Sequence, residues 1–214
     1  MLTEHRQKKH KYPYTLRNPF HIFRPLRWFR RFRKRCGYNI HSPFAFNFVT
    51  SVIYEAGTYY AYADLESKGV NISGRARLKD DRLVFRVVNF ARPRSIAAYG
   101  PETEAFRHTC DYIRAARNCP LHLGSERVLG DVDTPDFLYI DLESWEGLVT
   151  PFLDHVHDGS ALLIKGIHRS KDASKVWKQL IAQPQVRVSF DLYDFGICLF
   201  EKRLNKENFV INYY

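Results

Sequence analysis

Cysteine is scarce in this sequence, and badly placed for chemistry. Cys36, Cys110, Cys119 and Cys198 form no CxxC pair and stand at no Cys/His ligand spacing, which argues against a zinc ribbon or a thioredoxin-type redox motif. Free thiols in a reducing compartment fit that pattern. Long apolar runs are lacking as well: none approaches the ~20 residues that span a bilayer. The basic N-terminus has no apolar core of a secretory signal, so a cytoplasmic location is expected. No internal repeat, P-loop or Ser/His/Asp arrangement is recognisable. Glycine is thin where a nucleotide loop would need it. "SIAAYGPETEAF", Ser95 to Phe106, carries Gly100 alone.

Positive charge is plentiful but confined. Residues 1–35 hold twelve Lys or Arg against one acid, Glu4, while the 21 basic and 22 acidic residues of the remainder nearly cancel. The chain is a near-neutral body with a basic arm. On a helical wheel, "RPLRWFRRFRKR" puts Leu26, Trp28, Phe29, Phe32 and Cys36 on one side and Arg27, Arg30, Arg31 and Lys34 on the other. Three uses stay open for this amphipathic helix. It docks its aromatic stripe on the body, lies on an anionic membrane, or neutralises nucleic-acid phosphates.

Periodicity then predicts three helices. In "YNIHSPFAFNFVTSVIYEAG", Ser42 is an N-cap, Phe44, Phe48 and Val52 recur every fourth residue, and Gly57 closes the helix. "TYYAYADLESKG" follows. "KDDRLVFRVVNFARP" is expected to start at a cap on Asp80 or Asp81. From Ser95 strands alternate with helices. "SIAAYG", "LHLG", "DFLYIDL" and "SALLIKG" read as strands, and "ETEAFRHTCDYIRAAR" as a helix with Phe106, Cys110 and Ile113 on one side. "SWEGLVTPFLDHVHDG" reads as mostly helix, with Pro151 a candidate break, and "SKDASKVWKQLIAQP" as a helix starting at Ser170. "VRVSFDLYDFGICLFEK" reads as a hairpin turning near Asp194 and Gly196, which adds an antiparallel edge strand. Alternation of this kind implies an α/β protein: a parallel sheet with helices on both faces. The expected divisions are a basic arm (1–35), a helical cap (36–93) and a Rossmann-like domain (94–214).

The segments "GYNIHSPFAFNFVTSVIYE", "YYAYADLE", "LVFRVVNFARP", "KGIHRSKDASKVWKQL" and "VRVSFDLYDFGICLFEK" carry a resemblance. The chain resembles a bacterial methyltransferase-like family among the class I S-adenosylmethionine-dependent methyltransferases, itself related to the metal-dependent O-methyltransferases. The resemblance covers about Arg31 to Tyr214. It implies a Rossmann-like methyltransferase fold of reduced size with a C-terminal antiparallel hairpin and added N-terminal helices. It also implies S-adenosylmethionine as cofactor, with Gly100, Glu126 and Asp141 as the binding positions.

The sequence departs from that pattern at each working part. Ala98 stands where the acid of the glycine-rich turn belongs. The later glycine is missing from Thr103-Glu104-Ala105. Pro101 removes an N–H donor, and Glu102 and Glu104 would repel the cofactor's carboxylate. Only "SERVLGDVDTP" separates "LHLG" from "DFLYIDL", too short for the helix and strand that build an adenine pocket in related enzymes. Asp141 takes the place of the first metal acid, but the second is replaced in Lys165-Gly166-Ile167-His168. Lys165 is expected to pair with Asp141, and no metal is expected. His168 and His41 are read as capping or core histidines rather than bases, and no catalytic residue is assigned. The expected function is a catalytically degenerate relative with a binding or scaffold role towards a small molecule or protein. Two alternatives stay beside it: an active methyltransferase with an atypical pocket, and a nucleic-acid- or anionic-membrane-binding protein acting through the arm.

Overall fold

The computed structural model describes residues 34, 37–68, 75–124 and 134–213. The basic arm apart from Lys34, its amphipathic helix, Cys36 and Glu126 lie outside the described residues.

Helix α1 (Pro43–Phe48) starts as its sequence predicts. Ser42 Oγ accepts the Ala45 N–H at 3.4 Å, and Pro43 sits in the first turn, where no N–H is needed. The chain then widens into a π-helical turn (Val49–Ile53) and stops at Tyr54, short of the expected Gly57. The Tyr54 hydroxyl there donates to the Asn212 carbonyl from the C-terminal segment. Helix α2 spans Tyr60–Lys68 and α3 spans Arg75–Ala91.

The cap expected at Asp80 or Asp81 is corrected, since α3 begins at Arg75. Asp81 is 2% exposed and turns to the neighbouring helix instead of its own N–H groups. Its Oδ1 accepts the Thr109 hydroxyl at 2.7 Å, and His108 Nδ1 lies 3.2 Å from Oδ2. A buried carboxylate with such partners is already satisfied, so it carries no capping role.

Among the described residues seven strands form one sheet: β1 (Ile96–Tyr99), β2 (Leu121–Gly124), β3 (Phe137–Ile140), β4 (Ala161–Lys165), β5 (Val188–Asp191), β6 (Phe195–Leu199) and β7 (Glu207–Val210). Their order is β2-β1-β3-β4-β6-β5-β7. The first four run parallel, β6 runs antiparallel to β4 and β5, and β7 pairs parallel with β5. This is an α/β Rossmann-like arrangement, a mostly parallel sheet that ends in a reversed hairpin. Among the described residues β2 is the outer strand; the expected loss of a helix and a strand falls on 125–133, outside the described residues.

Two details of the hairpin are corrected. It does not supply the sheet edge, because β6 inserts between β4 and β5 and β7 lies outside both. Gly196 is not in the turn either. It sits inside β6 opposite Asp191 and Ile164, where an added Cβ would meet Trp177 Cζ3 at 2.6 Å.

Helices α4 (Glu104–Ala116), α5 (Glu146–Leu153) and α6 (Lys171–Ala182) connect the strands. Helix α5 continues through Pro151 and buries Leu148, Val149 and Phe152. One sheet face carries α1, the π-turn, α3 and α4: Phe48, Val84, Val88, Phe106 and Ile113 pack on Ile96, Tyr139 and Phe190. Phe48 stacks on Phe190 at 4.7 Å between ring centres, so the N-terminal helices share the sheet's core. The other face holds α5 and α6 through Trp145, Leu148, Trp177 and Leu180. No helix among the described residues is long and apolar enough to cross a membrane.

Candidate functional site

In an open α/β sheet, ligands bind beyond the carboxyl ends of the strands, where neighbouring connections diverge. Here that point lies between β1 and β3, because β1 leads outward to β2 while β3 leads on to β4. Gly100 and Asp141 follow β1 and β3 directly. Both expected positions therefore reach the switch point.

Gly100 meets it with little to offer a cofactor. Its N–H donates to the Gly124 carbonyl at 3.1 Å and extends the β1–β2 ladder. Pro101 has no N–H, and the Thr103 N–H is taken by the Pro101 carbonyl at 2.7 Å. Space is short as well. A Cβ added at Gly100 would sit 2.9 Å from Phe106 Cζ and closer still to Cδ2 and Cε2. The glycine is needed for the approach of this ring, not to free the backbone for a ligand. Phe106 is 7% exposed and stacks on the fully buried Tyr139. It is held there by α4, whose N-cap Thr103 accepts the Phe106 N–H at 3.2 Å. At the end of β2 the Tyr99 ring covers Gly124 in the same way.

Asp141 is enclosed by cations. Arg169 Nη2 donates to its Oδ1 at 2.9 Å, and Lys165 Nζ stands 3.3 Å from its Oδ2. The expected Lys165–Asp141 pair is present, and Arg169 completes it. Gly166 makes the second contact possible. It turns the chain at φ +83, and Arg169 Nε lies only 2.8 Å from where a Cβ would be. A divalent cation seeks several oxygen donors. With an ammonium and a guanidinium already on Asp141, the residues present do not fit one. Each Asp141 oxygen already has a cationic partner, so a ribose hydroxyl would have to share that oxygen with it.

Asp80, from α3, reaches this edge too. Burial pushes its carboxyl up to about 7, against the pull of Lys165, and the Asp194 and Asp81 carboxylates push the same way. Beside Arg169 an open cleft of about 420 Å³ is lined by Glu143, Glu146 and Asp172 with Trp145 and Val176. Its three carboxylates would repel an anionic ligand.

His168 is neither free nor a simple cap. Its Nδ1 lies 2.9 Å from Ser174 Oγ and its Nε2 lies 2.7 Å from Asp191 Oδ2. The ring stacks on Tyr193 at 5.1 Å. The expected neighbour Ser170 instead caps α6, accepting the Ala173 N–H at 3.0 Å. The sequence shows no Ser/His/Asp pattern, yet the fold brings Ser174, His168 and Asp191 into one line. Ser174 Oγ also lies 3.0 Å from the Ser170 carbonyl as a donor, which ties the hydroxyl down. His41 is exposed in the turn before α1, and Glu126 lies outside the described residues.

Arg169, Ser174 and Asp191 were not singled out from sequence, while Phe106 was read only as core, Asp80 only as a helix cap and His168 as a capping or core histidine. Only Arg169 had a local signal, as the next cation after the left-handed turn that Gly166 permits.

No protein-family model and no curated protein sequence matches the chain. Solved structures resemble it in shape at low identity. The S-adenosylhomocysteine-bound methyltransferase PaMTH1 of Podospora anserina has a TM-score of 0.48 and 9% identity, over 75% of this chain and 97% of that one. The O-methyltransferase TomG of Streptomyces achromogenes, involved in tomaymycin synthesis and solved with S-adenosylmethionine, scores 0.46 with 10% identity, over 67% and 91%. An O-methyltransferase of Bacillus cereus in complex with S-adenosylhomocysteine scores 0.41 with 11% identity, over 67% and 92%. No residue role is carried over from them.

Proposed function

We propose that this chain is a methyltransferase-fold protein without methyl-transfer activity, which serves as a binding or scaffold protein. One observation carries the reading. The place that a cofactor's amino-acid end would occupy is filled by the Phe106 ring against Gly100, beside an Asp141 already paired with Lys165 and Arg169. A methyltransferase works largely by holding its methyl donor and acceptor in line. A switch point that cannot seat the donor removes that source of rate.

The test is calorimetry of the full chain with S-adenosylmethionine and with S-adenosylhomocysteine. No saturable heat is expected from either. Micromolar affinity for one of them, lost on Asp141→Ala, would overturn the reading.

A further inference from the structure

Beyond His168 the carboxyl end of the strands carries a second pocket, of about 450 Å³, with a different electrostatic character. Lys171, Lys175 and Lys178 line it from α6, and His168 and Tyr193 form its inner wall. No carboxylate is in the lining. The acid behind it, Asp191, is turned inward: its Oδ2 holds His168 and its Oδ1 accepts the Tyr193 N–H at 2.8 Å. Asp172 faces the acidic cleft on the other side of the helix. The three lysines are exposed and have no ion-pair partner among the described residues.

A concave site of one sign concentrates counter-charge more strongly than a scatter of surface lysines. The spacing sets the size of that charge. Positions i, i+4 and i+7 share one helix face and span about 10 Å along the axis at 1.5 Å per residue. A single phosphate meets one or two of these ammonium groups, whereas a chain of two or three phosphates reaches all of them. The inner wall is rigid. Tyr193 is a non-glycine residue at φ +76, held by Asp191 with its ring against the imidazole. The flat stack leaves an aromatic surface beside the lysines.

We propose that this pocket binds a small ligand bearing two or more linked phosphate groups, with Lys171, Lys175 and Lys178 as its charge partners. This goes beyond the scaffold reading and does not depend on it, because the pocket lies outside the closed switch point.

Titration calorimetry of the full chain with sodium pyrophosphate and with sodium phosphate, at constant ionic strength, tests the site. Pyrophosphate is expected to bind saturably and about tenfold more tightly than phosphate. The K171Q/K175Q/K178Q variant is expected to lose about tenfold in pyrophosphate affinity. R92Q/R94Q/K202Q, which removes equal charge at the opposite end of the strands, should stay within about twofold of the parent. All six side chains are exposed, so both variants are expected to fold. The proposal fails if pyrophosphate shows no saturable binding, if phosphate binds as tightly, or if both variants lose affinity equally. It also fails if only a single-stranded oligonucleotide shows the lysine-dependent loss, because the site would then read a nucleic-acid backbone.

Discussion

Gly100→Ala is expected to lower the unfolding free energy by about 1–3 kcal/mol, the usual cost of forcing a methyl group into a filled site. The new Cβ would enter the edge of the Phe106 ring. The ring has nowhere to go, being 7% exposed and stacked against Tyr139. Phe106→Ala alone is expected to cost about 3–5 kcal/mol, through lost burial and the cavity left behind. Combined, the two changes should cost less than their sum, because the alanine at position 100 then occupies space the ring has vacated. Urea denaturation of the parent, both single variants and the double variant measures this coupling. A Gly100→Ala cost that is the same with and without the Phe106 ring would mean that the ring does not close the turn. The double variant should still lack cofactor affinity, since the backbone N–H of position 100 stays on the Gly124 carbonyl and Pro101 still has none.

Asp80→Asn is expected to stabilise the protein above neutral pH. The Asp80 carboxyl titrates near 7 in the folded chain because burial disfavours its charge, whereas an unfolded chain releases that proton near 4. Between those values the unfolded state ionises and the folded state does not. Asp80 therefore costs nothing below about pH 4, and its penalty grows by about 1.4 kcal/mol per pH unit as pH rises to about 7. Above pH 7 the penalty levels off on the order of 4 kcal/mol. Asparagine keeps the shape of the neutral acid and cannot ionise. The stability gap between Asp80→Asn and the parent should widen by on the order of 3 kcal/mol from pH 5 to pH 8, read from urea midpoints at both. A variant less stable than the parent at pH 8 would show that Asp80 is a charged partner of Lys165 instead. Comparing the two proteins at each pH cancels groups of opposite sense. Asp136 is one: the Arg94 N–H and His157 hold its carboxyl low against burial, so its contribution is lost as pH falls.

Much of the fold is legible because its signals are local. "DFLYIDL" and "SALLIKG" are short apolar runs of strand length, and both become fully buried central strands apart from the half-buried Lys165. Ser170 announces α6 through a cap that depends on a neighbour three residues away, whereas Thr103, read only as the place of a missing glycine, turns out to cap α4. Among the described residues β2 is the outer strand. What was illegible depends on distant partners. Asp80 and Asp81 look like helix caps, and only the arrival of His108 and Thr109 from α4 shows why Asp81 sits inside α3. "ENFV" is half-exposed and, among the described residues, pairs with β5 alone, so nothing in four residues marks it as a strand. Phe106 reads as part of the α4 core stripe, which it is. That the same ring seals Gly100 follows from the turn between β1 and α4 and from no spacing in the sequence. Ser174, His168 and Asp191 come from a helix, a turn and a strand, and only the β5–β6 hairpin folded beside α6 aligns them.

A crystal structure of the full chain grown with excess S-adenosylhomocysteine tests the closed switch point most directly. The expected map shows the Phe106 ring still against Gly100, with Lys165 and Arg169 still on Asp141 and no adenosyl density between β1 and β3. Continuous density for the ligand there, with the ring displaced and Asp141 released, would contradict the closed site and restore cofactor binding to this fold.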